Sequence, residues 1–223
     1  MNNKFNVFVF ATMLCSITNV NASTILSPIT AVASSEFSLD FGINNTINQS
    51  GLSSNFVSGV TDFDTYLAII PTHSLVAFQN EWFTPSGIHS AQVNYDLGGI
   101  YNIDKLALWN EDASGIGAFN ISVSNDNTNF SLLSAGLMPF NNPLGFNYLA
   151  EVFLFGSASA RYVRFDITGC PQADSGFDGC AIGEVAFSAN QGEVSSVPVP
   201  AALPLMASAL GAFGLGRRRN KLS

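Results

Sequence analysis

The sequence predicts an all-β protein, a jelly-roll β-sandwich of antiparallel strands. Three observations predict it. Apolar residues in the middle of the chain recur at every second position, the spacing of a half-buried strand. These runs end in Gly, Asn, Asp or Pro, the residues that turns require. No helical periodicity is sustained between the two termini.

Taken in order, "AQVNYDLGG" puts Val93, Tyr95 and Leu97 on one face before a Gly-Gly break. In "AFNISVSNDN", Phe119, Ile121 and Val123 share a face and an Asn-Asp-Asn turn follows. "ARYVRFDIT" sets Val163, Phe165 and Ile167 against Tyr162, Arg164 and Asp166, and "GEVAFSA" repeats the pattern with Val185 and Phe187. Residues 44–64 are turn-rich and read as an ordered loop region, a usual place for sites. The polar, small, proline-marked stretch 188–200 reads as a linker.

The composition bounds what such a fold can do. Only 11% of the 223 residues are charged and 19 are Phe, enough for one domain with a substantial core. Charge is segregated along the chain. All sixteen acidic residues lie between Glu36 and Glu193, whereas only Lys105, Arg161 and Arg164 of the eight basic ones lie there. A body with thirteen more acids than bases repels phosphate backbones, which excludes nucleic acid as a partner class. It suits calcium, cationic surfaces or simple solubility.

The ends carry different information. Residues 1–22 begin with a lysine, pass through an apolar run from Phe5 to Ile17 and finish Val20-Asn21-Ala22. Small side chains at −3 and −1 predict a signal peptide cleaved before Ser23, and the competing reading is a buried N-terminal strand. Thr12-Met13-Leu14 ahead of Cys15 lacks the small residue of a lipoprotein signal. Cleavage leaves Cys170 and Cys180 around a Gly/Pro/Asp-rich interval. In an oxidising compartment that pair predicts a disulfide closing a surface loop. A zinc site with His73 or His89 is the alternative.

No catalytic set stands out. Two histidines and no spare thiol give little material for a nucleophile and its base. Acidic pairs such as Asp62/Asp64 and Glu111/Asp112 are what solvated loops also contain. No phosphate-binding loop or metalloprotease helix is present in the sequence. Binding has better material. "FQNEWFTPSGIH" sets Trp82 beside Glu81 and ends at His89, and "LWNEDASGIG" carries Trp109, Glu111 and Asp112 from a strand into a loop. An aromatic platform with carboxylate and amide partners is what a sugar needs. The alternative for both tryptophans is a place in the core.

The order of the phrases "AVASSEFS", "NNTINQSGL", "VNYDLGGIYNIDKLALWN", "ISVSNDNTNF", "ARYVRFDIT" and "AIGEVAFSA" resembles discoidin-type domains. These are the galactose-binding-like jelly rolls shared by coagulation-factor C-type domains and family 32 carbohydrate-binding modules. The resemblance covers residues 31–189 and implies an eight-stranded sandwich whose end loops bind glycans, often with a structural calcium. It places calcium near Asn48 and Glu184. Asn48 stands where the family's calcium loop carries Asp.

The C-terminal tail carries a second resemblance. Val197-Pro198-Val199-Pro200 precedes an almost wholly apolar run, Ala201 to Gly216, and then Arg217, Arg218, Arg219 and Lys221. Sixteen helical residues span about 24 Å, and with Val197 to Pro200 nearly the roughly 30 Å of a hydrocarbon core. The basic block then stays on the cytoplasmic side. This order resembles the PEP-CTERM sorting signal of exopolysaccharide-producing Gram-negative bacteria. It implies a transient transmembrane anchor removed by an exosortase. The expected organisation is a signal peptide (1–22), a sandwich (23–189), a linker (190–196) and a sorting signal (197–223). The expected partner of the exported body is extracellular polysaccharide, in a cell-surface or matrix location.

Overall fold

In the computed structural model, which describes residues 23–190, there are ten strands, eight of them in one sheet that bends into two facing layers and two, Thr72–His73 and Tyr148–Leu149, paired separately. They are β1 (Thr24–Leu26), β2 (Thr30–Ala33), β3 (Thr72–His73), β4 (Trp82–Phe83), β5 (Ala91–Asn110), β6 (Ala118–Ser124), β7 (Ser131–Leu137), β8 (Tyr148–Leu149), β9 (Glu151–Thr168) and β10 (Ala181–Asn190). All pairings between these strands are antiparallel. The fold is the all-β sandwich that the alternating pattern predicts. The expected signal peptide (1–22), anchor and tetrad at 197–200 lie outside the described residues, as does the expected linker from 191 on, whereas its first residues up to Asn190 belong to β10. Among the described residues no helix is long and apolar enough to cross a membrane.

The long strands β5 and β9 make both layers. Their pairing breaks between Asp96 and Tyr101 and resumes at Tyr101–Ala160, so each strand bends from one layer into the other. Asp96 begins the bend by accepting from the Gly98 N–H, and Gly98 has a φ of +82°, a conformation that only glycine adopts without strain. The first halves of β5 and the second of β9 join β2, β6 and β7. The second half of β5 and the first of β9 join β10, which also holds β1 and β4.

Between the layers lies the main core, with Val93, Tyr95, Leu97, Phe119, Ile121, Val163, Phe165, Ile167, Val185 and Phe187 all buried. These are the faces picked out by the period-two pattern, apart from Val123, which is partly buried and packs against them. Each such side chain contributes about 1.5–3 kcal/mol by leaving water. A second core lies on the outer side of the β5–β10 layer. There Ala107, Trp109 and Ala186 are covered by Ile25, Leu52, Phe56, Phe63, Tyr66 and Tyr148. Leu52, Phe56 and Phe63 of this cover come from the region read as loop, which begins in a 3-10 helix, Ile43–Ile47, and runs into one α-helix, α1 (Phe63–Ala68). Asp62 caps α1 by accepting from the Thr65 N–H at 2.7 Å. Six residues are too few to show a period in the sequence.

This second core explains why β10 is buried on both faces. Glu184 is fully buried under the loop. Cys170 and Cys180 are joined in a disulfide, with Cα atoms 4.9 Å apart.

Candidate functional site

The register fixes which loops share an end. Ala181 faces Phe83 and Ile182 faces Asn110, whereas Ala189 and Asn190, at the other end of β10, face Thr24 and Asn102. The loops 34–41, 84–90, 111–117, 138–147 and 169–180 therefore gather at the end opposite Thr24 and Asn190. Backbone hydrogen bonds tie them together. Gln79 N–H donates to Asp40 O, Gly87 N–H to Asp178 O, Gly176 N–H to Ala113 O, and Phe37 N–H to Phe83 O. The disulfide closes the last loop at this end.

Two cavities open among these loops. One, of about 510 Å³, lies between β8 and the 138–147 loop and is lined by Phe140, Asn142, Phe146, Asn147 and Glu151 among others. The second, of about 290 Å³, is a cup of Phe37, Phe41, Phe83 and Phe177 with Val76. The rings of the cup meet edge to face, with Phe83 and Phe177 centroids 5.4 Å apart and Phe37 and Phe177 5.7 Å apart. Phe78 packs on Phe41 at 5.5 Å and is 75% exposed. Near the rim, His89 Nε2 and Asp178 Oδ1 are 2.7 Å apart in solvent, and Gln79 lies against Asp40.

The tryptophans expected as platforms are elsewhere. Trp82 and Trp109 are fully buried, one in each core. Each indole N–H is satisfied at 3.0 Å, Trp82 by Ser35 O and Trp109 by Pro71 O. Neither offers a face to a ligand. The expected segments are at the right end of the molecule, but the exposed rings in and around them are Phe. The signal available in the sequence was the run "MPFNNPLGFN" and the pair Phe37/Phe41, aromatic residues set among turn formers rather than in alternating strands.

Three of the carboxylates expected to meet a sugar are also buried: Glu81, Glu111 and Asp112. With Glu184 they share one pattern, in which one oxygen is held by loop backbone and the other has no partner. Glu81 Oε2 accepts from Ala77 N–H (3.0 Å) and Glu111 Oε2 from Ala113 and Ser114 N–H (2.8 and 2.6 Å). Asp112 Oδ2 accepts from Gly145 N–H (2.7 Å) and Glu184 Oε2 from Gln49 N–H (2.9 Å). The second oxygen of each is buried and unpaired, as are His73 Nε2 and the Tyr148 hydroxyl. His73 Nδ1 stands 3.6 Å from Glu81 Oε1, and its ring stacks on Tyr148. The three cations of the described residues are engaged elsewhere, with Asp64, Asp96 and Asp166.

Burial governs the protonation of this group. It pushes Glu81 up to about 8, against the Ala77 N–H and with help from Asp112. It holds Glu111 and Glu184 well above the ordinary carboxylate range. It presses His73 down to about 4, against the backbone of Ser74 and Asn80, which accepts from the ring. The four carboxyls thus pin four loops, and every member of the group is buried.

At the place expected for calcium, the Gln49–Glu184 bond joins the loop to the last strand. The Asn48 side chain, which is exposed, accepts from Ser50 N–H (2.7 Å) and donates to Gln79 O (3.2 Å). Glu184 Oε1, the Asn48 amide oxygen and the loop carbonyls are hard oxygen donors, the class calcium takes. Among the described residues no three Asp, Glu, His or Cys side chains converge on one point where a metal could sit.

The family model for the F5/8 type C domain matches residues 71–185, just over half of the chain. The chain belongs to the F5/8 type C domain family. Among solved structures, this F5/8 type C domain is similar to CpGH89CBM32-5 from Clostridium perfringens, in complex with GalNAc-β-1,3-galactose. The identity is 17%, the match covers 71% of this chain and 94% of that one, and the TM-score is 0.49. It is similar also to chitosan-binding module 1 of a chitosanase/glucanase from Paenibacillus sp. IK-5, at 19% identity, 73% and 95% coverage and a TM-score of 0.47. A third is the family 32 carbohydrate-binding module of NanJ from C. perfringens, in complex with galactose, at 14% identity, 74% and 98% coverage and a TM-score of 0.49. No curated protein matches the chain.

Proposed function

We propose that this F5/8 type C domain is the exported, non-catalytic part of a surface or matrix protein, and that its loop end binds polysaccharide. One observation carries the proposal: two concave sites at that end, lined by phenylalanine rings of which Phe37, Phe140 and Phe146 are exposed, and edged by amides and carboxylates. Rings stack on the C–H faces of sugars, and Asn142, Asn147, Gln79, Asp178 and His89 supply hydroxyl partners around them. Two cavities on one end suit a chain of sugars better than a single residue. The acidic body favours neutral or amino sugars over anionic ones.

Export and sorting rest on the two termini. The signal-like residues 1–22 and the tail from Val197 to Lys221 support secretion, transient anchoring and exosortase processing in a Gram-negative bacterium. Calcium at Asn48 and Glu184 is proposed as a brace for the loop, not as a sugar ligand.

A glycan array probed with the processed chain, with and without calcium, tests the reading. Binding to neutral or amino-sugar polymers supports it. No binding to any glycan in either condition leaves a structural or adhesive matrix protein. Mass spectrometry of the chain from its native host tests the sorting: an intact C-terminal arginine cluster in the mature protein contradicts it.

A further inference from the structure

Among the strand edges of the sandwich that lack a main-chain partner within the described residues are those of β7 and of β9. β7 pairs only with β6. The first half of β9, from Glu151 to Ala160, pairs only with β5, because β6 takes up β9 from Tyr162 onward. No turn or loop backbone bond reaches Glu151–Ala160 from its other side.

Proteins usually guard such edges with charges, prolines or bulges directed at the edge. This one carries little charge and no proline there, and the one irregularity of Glu151–Ala160 opposite β5 lies between Leu154 and Ala158, beyond Leu154 itself. From Asn127 to Ala160 the chain has a single charge, Glu151, and no proline falls within β7 or β9. The Glu151 carboxylate turns back to accept from Phe140 N–H at 2.7 Å. Alternation along the strand sends Phe153 and Phe155 to the core and leaves Val152 and Leu154 outside, 41% and 71% exposed. Loop 44–64 covers the outer face over Trp109 and Ala107 but stops short of these two.

We propose that this edge is a docking surface for a second copy of the chain, with β9 of one copy adding antiparallel to β9 of the other near Leu154. The unpaired N–H and C=O groups call for an extended strand, not a helix or a sugar. A strand set antiparallel to itself about a two-fold axis satisfies both copies at once. Charge selects the same occupant. The body carries thirteen more acids than bases, so two copies repel over most of their surfaces, and 127–160 is the stretch on which they can meet without opposing charges.

Sedimentation velocity of the processed chain over a concentration series tests this. The wild type forms a dimer. Leu154→Glu and Leu154→Lys each place like charges across the axis and weaken it by more than about tenfold. An equimolar mixture of the two variants restores it, which a folding defect could not do. Leu154 is exposed, so both variants melt as the wild type does. A monomeric wild type at every concentration overturns the proposal, as does a dimer indifferent to both substitutions or a mixture that stays monomeric. Glycan binding per chain is unchanged in either variant, so the polysaccharide reading and this one fail separately.

Discussion

Glu184 on the last strand accepts a hydrogen bond at 2.9 Å from the backbone of Gln49, 135 positions earlier in the chain. Gln49 holds a φ of +62°, so a residue in the left-handed region is tied down by a buried carboxyl from the far end of the sequence. The other oxygen of Glu184 has no partner. Glu184→Gln keeps an acceptor for Gln49 and removes an ionisable group, so its stability should stay within about 1 kcal/mol of the wild type. Glu184→Ala should cost about 1–3 kcal/mol by leaving the Gln49 N–H unsatisfied. Urea denaturation measures both. If calcium braces this loop, it raises the melting temperature of the wild type and not of Glu184→Ala.

Stability should fall as pH rises from about 6.5 to 8. Glu81 is raised by burial to about 8, so the stability linked to its proton is present at low pH and lost as pH passes through that value. His73 is depressed to about 4, so its contribution is complete above its ordinary value near 6.5 and is lost as pH falls toward 4. Between 6.5 and 8 only the Glu81 loss operates in this pair, on the order of 2 kcal/mol. Denaturation midpoints across this range measure the drop, and Glu81→Gln should reduce it, leaving the part that Glu111 and Glu184 contribute in the same direction.

Gly51→Ala should destabilise the fold by about 1–3 kcal/mol through overpacking. A Cβ at position 51 would run into the imidazole of His73, which is itself walled in by Tyr148 and Glu81. Gly59→Ala makes a useful contrast, since nothing stands near its Cβ and only its φ of +73° opposes the change. Thermal melts of the two variants compare crowding with backbone strain.

Trp109→Ala should cost about 3–5 kcal/mol, the usual loss for a large buried ring, and also frees the Pro71 carbonyl. Phe78→Ala should leave stability almost unchanged, because that ring is largely in solvent. Glycan affinity separates them in the opposite sense: it falls in Phe78→Ala, although the fold is intact.

Reduction of the Cys170–Cys180 bond should lower stability by about 2–3 kcal/mol, since it opens a short ring in the denatured chain. Melting with and without a thiol reductant measures it.

The period-two runs were legible because one face of each strand meets the main core. Val93, Tyr95, Phe119, Val163, Phe165 and Phe187 fall where alternation puts them. The second core was not legible, because it joins short stretches far apart in sequence: Ile25, Phe56, Phe63 and Tyr148 converge on Trp109 without sharing a local pattern. That missing layer is why the strand pattern around Glu184 gave no sign that it is buried on both faces. The loop end was legible as a place, through turn-rich segments with aromatic and polar residues. Its exposed rings were not, since a sequence gives tryptophan and phenylalanine the same apolar weight. Which of them meets solvent depends on how loops 34–41, 76–83 and 172–178 stack.

Hydrogen exchange with mass detection, on the processed chain with and without a saturating oligosaccharide drawn from the array, locates the binding surface most directly. The expected result is protection in 35–41, 76–89, 138–148 and 172–178, with β1 and the 97–101 bend unchanged. Protection confined to the termini-bearing end or to β9, or none in these loops under saturation, contradicts the account.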